Sequence, residues 1–168
     1  MKFFKLCSAL TATVFYGVAV GMFGASFVNV VAKGAISGKV VKESFGNGFE
    51  IAFGQTELDS GNTLGTLFAF IFVVLGLLCA LFTIGFALKG GKKRKGSVNG
   101  KLLCACCTFA LVGILPAVLL FLTLQTTNLA GSLNLYIVSG ETRLGVGAIL
   151  SAVFSLLGAG SLGAALLK

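Results

Sequence analysis

The sequence predicts an all-α membrane protein, a four-transmembrane-helix antiparallel bundle with a small extracellular β-sheet. Three observations predict it. Leu6–Ala32, Ser60–Leu88, Leu102–Gly140 and Leu144–Leu167 each run for more than twenty residues without a charged side chain. About 20 apolar residues of helix cross a bilayer core, so each stretch is long enough. Of the 168 residues, 57% are hydrophobic and 11% charged, whereas a soluble domain carries about 25% charged residues.

The third observation is where the cations sit. Lys2 and Lys5 precede the first stretch, and Lys89, Lys92, Lys93, Arg94, Lys95 and Lys101 crowd between the second and third. The other two connections are mixed, with Lys33, Lys39 and Lys42 among Glu43, Glu50, Glu57 and Asp59, and Glu141 beside Arg143. Lys and Arg of short loops stay on the cytoplasmic side. Both termini and the 89–101 loop are therefore expected on the cytoplasmic side of a cell membrane. One domain, 1–168, is expected, with helices at about 4–32, 63–88, 102–125 and 143–167 and outer loops at 33–62 and 126–142.

The first span carries small residues every fourth position, Ala9, Thr13, Gly17, Gly21 and Ala25. It is far longer than a signal-peptide core of about 7–15 residues, which predicts a retained helix. The fourth span repeats the pattern with Gly147, Ser151, Ser155, Ala159 and Gly163. Small residues on one face let helix backbones approach, which matters where lipid removes the hydrophobic drive. Gly17, Gly21, Ala25, Gly147, Ser151, Ser155, Ala159 and Gly163 are thus the candidate packing residues, within the bundle or between two copies. The second span is bulky over Leu67–Val74. The third holds the single proline, Pro116, which predicts a kink near Gly113–Pro116.

The first outer loop reads as ordered. Lys39–Phe45 and Phe49–Gly54 flank Gly46-Asn47-Gly48, and Phe49, Ile51 and Phe53 alternate with Glu50 and Ala52. Alternation about a Gly/Asn turn predicts a β-hairpin. Leu133–Val138 alternates as well and predicts one further strand in the second outer loop, or a continuation of helix three. Phe45, Phe49, Phe53 and Tyr136 are then candidate partner contacts. The competing reading packs them on the helix ends or among lipid headgroups.

Chemistry is sparse. There is no histidine, and all five acidic residues fall in the expected outer loops. No Ser-His-Asp set, carboxylate pair or ionisable relay lies within a span, which argues against an enzyme and against a proton-driven carrier. No catalytic residue, cofactor site or metal site is expected. Cys7, Cys104, Cys106 and Cys107 lie near the inner ends of spans and match no zinc spacing. Beside basic residues Cys104, Cys106 and Cys107 suit S-acylation; otherwise they are small apolar filler. Lys92, Lys93, Arg94 and Lys95 suit anionic lipid headgroups, and with glycines rather than aromatic readers between them they do not suit nucleic acid.

Four spans, inside termini, a longer first outer loop with strands and a shorter second one resemble the claudin and peripheral myelin protein superfamily in layout. The chain has no tryptophan and no outer-loop cysteine, so the resemblance carries over no site residue. It implies a four-helix bundle capped by an outer sheet. Together these readings predict a non-enzymatic tetraspan protein with a structural, assembly or cell-surface interaction role, in contact with lipid and with a protein partner or further copies of itself. The alternative is a subunit of an oligomeric channel or transporter.

Overall fold

The computed structural model describes residues 2–33, 40–44, 46–53, 64–89, 98–122 and 139–167. In chain order the elements are α1 (Lys2–Gly21), a 3₁₀ turn (Met22–Gly24), β1 (Val28–Lys33), β2 (Val40–Ser44), α2 (Gly48–Phe53) and α3 (Leu64–Lys89). Next come α4 (Val98–Phe109), a π-helical turn (Ala110–Ile114), α5 (Leu115–Phe121), β3 (Ser139–Leu144) and α6 (Val146–Leu167). The α4 helix, π turn and α5 run on without a break and form the third span. Phe3–Gly24, Leu64–Leu88, Gly100–Phe121 and Val146–Leu167 are long and apolar enough to cross a membrane.

Helix packing follows from side-chain size. On α1 the buried row is Ala9, Ala12, Tyr16, Ala19, continuing to Phe23, and on α3 it is Ala69, Val73, Gly76 and Ala80. Both rows step by three or four residues and so mark one helix face. The outward faces carry the large groups instead, such as Phe68, Ile71, Leu75, Leu78, Phe82 and Phe86 on α3. Mostly small residues inside, around a few large ones such as Tyr16 and Phe23, and large apolar ones outside invert the pattern of a water-soluble bundle and match a lipid surround.

Tyr16 lies against Gly158, Ala19 against Ser151 and Met22 against Gly147. One helix thus descends as the other rises, and α1 and α6 are antiparallel. Tyr16 against Gly76 and Phe23 against Phe70 give α1 and α3 the same relation. The fourth span is the most enclosed, with 44% of its apolar window buried against 22% for the second.

A three-stranded antiparallel sheet, ordered β2-β1-β3, closes the end where α1 stops and α6 starts. Asn29 pairs with Ser44 on one side of β1 and with Arg143 on the other. Three expectations are corrected here. The first helix does not continue to residue 32; it ends at Gly21, and Val28–Lys33 becomes the central strand. Val28, Val30 and Val31 are β-branched and favour a pleated strand, while glycines at 21 and 24 weaken the helix before them.

The hairpin about Gly46-Asn47-Gly48 does not form. Val40–Ser44 is a strand, but its partner is Val28–Lys33, and Gly48–Phe53 is helical. The third strand is Ser139–Leu144, so the fourth helix begins at Val146 rather than 143; Leu133–Val138 lies outside the described residues. The third span is helical from Val98 to Phe121, and its irregularity is a π turn just before Pro116.

Candidate functional site

Among the described residues, the most elaborated surface is the sheet-capped end. Its local logic starts at Asn47. The Glu50 N–H donates to Asn47 Oδ1 at 2.9 Å, and the Asn47 N–H donates to Glu50 Oε2 at 2.9 Å. This reciprocal pair is a capping box, which satisfies two backbone donors at the start of α2 and turns the chain from strand into helix. Gly46, just before it, has a φ of 127°, a conformation that favours glycine.

The cap aims α2 onto an aromatic cluster. Phe70 of α3 has its ring centre 5.1 Å from Phe23, 5.6 Å from Phe49 and 5.7 Å from Phe53, all edge-on. Phe27 adds a contact to Phe23 at 4.8 Å. Edge-to-face pairs contribute about 0.5–1.5 kcal/mol each beyond area burial. Phe49 is half-buried in this cluster, so it fixes α2 in place. Phe53 touches Phe70 yet remains 56% exposed, and it is the described aromatic that this end presents outward.

Backbone bonds tie the sheet to the helices. The Phe27 N–H donates to Gly46 O at 3.1 Å, the Gly145 N–H to Phe27 O at 2.7 Å and the Gly147 N–H to Ser26 O at 2.9 Å. Ser26 Oγ donates to Asn29 Oδ1 at 2.7 Å, so Asn29 belongs to the strand and lines no span. Gly147 sits so close to the 3₁₀ turn after α1 that a Cβ there would stand 2.7 Å from Met22 O.

The interior offers structure rather than chemistry. Ser151 Oγ donates to Ala19 O and Ser155 Oγ to Ala152 O, both buried. Thr11, Thr13, Thr83 and Thr108 each donate to the carbonyl four residues back. Hydroxyls satisfied within their own helix are tolerated at membrane depth. Among the buried side-chain polar atoms of the described residues, the Thr66 hydroxyl alone lacks a partner, and among the described residues no group of three His, Cys, Asp or Glu stands ready to hold a metal.

Tyr16 is wholly buried, and its Oη donates to Val112 O at 2.9 Å across the bundle. Its ring fills a slot between Gly76 of α3 and Gly158 of α6; a Cβ at Gly158 would stand 2.9 Å from the ring.

The expected packing residues divide. Gly147, Ser151, Ser155, Ala159 and Gly163 are buried on α6, and Ala25 is half-buried beyond the end of α1. Gly17 and Gly21 are exposed, with open space where a Cβ would stand, and so lie outside the packed interior. Cys104, Cys106, Cys107 and Cys7 are exposed free thiols, and Cys79 is half-buried. Phe45, Tyr136, Lys92, Lys93, Arg94 and Lys95 lie outside the described residues.

Sequence reasoning overlooked Tyr16, Phe23 and Phe70. The first was legible as the polar aromatic of a span that also meets a proline-bearing helix. The Asn47-x-x-Glu50 spacing was legible as a helix start. Compared with known proteins, the chain matches no family model, no curated protein and no solved structure.

Proposed function

We propose that this is a multi-pass membrane protein of non-enzymatic, contact-based function, a structural or assembly component whose sheet-capped end meets a partner outside the cell. One observation carries the reading. Four apolar spans turn Leu, Phe and Ile outward, while Tyr16, Phe23, Val73, Leu120 and Leu162 fill their interior. A filled apolar interior supports anchoring and leaves a single chain without a polar path. The basic 89–101 segment supports placing the opposite end in the cytoplasm, against anionic lipid. The claudin-like layout is kept as an architectural parallel, consistent with a sheet on the outer side.

The exposed Gly17 and Gly21 favour a second element of the reading, self-association through α1. A glycine pair facing outward at membrane depth gives another helix close backbone contact. A pore would then lie between copies, which is the channel alternative.

The test begins with single cysteines at Phe53 and Lys101, both exposed, in a background without native cysteines. Impermeant reagent should reach Phe53→Cys from outside intact cells and Lys101→Cys only after permeabilisation. Purified protein in liposomes should pass no ions, and mild-detergent extracts of native membranes should hold it in a defined complex. Labelling of both positions from one side would remove the topology, and reproducible ion currents would replace the contact reading with the channel.

A further inference from the structure

We propose that the π turn of the third span is a hinge and that the Tyr16 hydroxyl is the latch that holds it. In a regular α-helix the Val112 carbonyl accepts the N–H of residue 116. Here residue 116 is proline and has no N–H to give. The Leu115 N–H reaches back to Ala110 O, five residues away, so the register has widened just before the proline. The Val112 carbonyl is thereby left facing an apolar core without its usual donor, a costly state at membrane depth.

Tyr16 supplies the donor from a different helix. α1 packs chiefly against α3 and α6, and Tyr16 is long enough to reach the third span, donating to Val112 O at 2.9 Å while buried. The ring cannot slide sideways, because Gly76 flanks one side and Gly158 the other. Four spans thus meet at one side chain. π turns are rare and frequent at functional sites, and together with proline they are where helices kink. With the bond made, α5 is held in register with the bundle. With it broken, only the widened main-chain bond from Leu115 N–H to Ala110 O and side-chain packing fix the angle between α4 and α5, and Leu115–Phe121 swings on the turn.

The hinge is independent of the contact-based reading, and its test uses the full chain in lipid nanodiscs. Four proteins are compared by hydrogen exchange: the native chain, Tyr16→Phe, Pro116→Ala and the double variant. Tyr16→Phe keeps the ring in its slot and removes only the donor. It should speed exchange of amides between 112 and 121 by about threefold to fifteenfold, the scale of interhelical hydrogen bonds in membranes. Exchange in β1 and β3 should not change.

Pro116→Ala returns an N–H to residue 116, so the Val112 carbonyl has its own donor. In that background Tyr16→Phe should change the same amides by less than about twofold. Spin labels at Val14 and Val118, both on the outer surface, should show a distance distribution that broadens in Tyr16→Phe and narrows again in the double variant. Equal acceleration by Tyr16→Phe with and without Pro116 would overturn the latch, as would acceleration spread evenly into the sheet. An unchanged distance distribution would overturn the hinge.

Discussion

Ser151 donates its hydroxyl hydrogen to the Ala19 carbonyl at 2.9 Å, a buried side-chain bond from the fourth span to the first. A serine at this point is small enough to let the two backbones close and polar enough to bond across the gap. Ser151→Ala keeps the first property and loses the second, so it should lower stability by about 0.6 kcal/mol, the average for such bonds in membranes. Ser151→Leu loses both and should separate the helices. Unfolding in mixed micelles by denaturing detergent reads the difference, and an Ala variant as damaged as the Leu variant would contradict it.

Glycines facing Tyr16 and glycines facing outward should respond in opposite ways. Gly76→Ala and Gly158→Ala push a methyl group into the Tyr16 ring and should cost about 1–3 kcal/mol as overpacking. Gly17→Ala and Gly21→Ala meet open space and should leave the stability of the single chain within about 0.5 kcal/mol. Larger residues at 17 and 21 should act on the oligomer instead, seen as a shift in size on chromatography. Equal destabilisation at all four positions would refute the placement of Gly17 and Gly21.

Much of the helical framework was legible, because charge-free stretches of this length leave few alternatives. The ladders of small residues were legible only in part. A step of four residues at about 100° per residue advances about 40° round a helix. From Ala9 to Gly21 the α1 ladder therefore turns about 120° and leaves the packed face, and the real row of Ala9, Ala12, Tyr16 and Ala19 corrects for drift by mixing threes and fours. The α6 ladder takes four such steps and drifts about 160°, yet stays buried because that helix packs against α1, α3, α4 and α5.

The strand within Lys39–Phe45 was legible, but its partners were not, for a different reason. Charge does not distinguish the last turns of a span from a strand that follows it, so Val28–Ala32 read as helix although its valines favour a strand. Alternation of Phe49, Ile51 and Phe53 fits a strand, but six residues of capped helix satisfy it equally, and Asn47 with Glu50 decided the outcome.

That cap makes its own prediction. Asn47→Ala and Glu50→Ala should each weaken the start of α2 by about 1 kcal/mol. Limited proteolysis at the sheet-capped end should accelerate while the spans keep their helix content. Asn47→Asp, which preserves the accepting oxygen, should protect nearly as well as the native residue. A loss with Asp equal to that with Ala would show that the side-chain bond does not hold the cap.

Phe70 should be far costlier to remove than Phe53. Though only half-buried, it touches Phe23, Phe49 and Phe53 together, so Phe70→Ala should cost about 2–3 kcal/mol, below the range for a fully buried phenylalanine. Phe53→Ala, at an exposed rim, should cost far less and act on partner recovery. Thermal unfolding measured by tertiary-structure signal separates the two, and near-equal midpoints would argue that Phe53 is as much a part of the core as Phe70.

The order β2-β1-β3 has a bearing on how the protein is made. β1 and β2 lie within residues 28–44 and are synthesised early, whereas β3, residues 139–144, follows three spans. A two-stranded ribbon alone is marginal, and chains emerge N-terminus first. The middle strand therefore waits with one row of amides and carbonyls unanswered until the rest of the chain has been threaded. A ribosome-stalled fragment ending before residue 139 should leave that edge open to proteases and quality-control factors. Sheet closure then serves as the molecular sign that insertion is complete.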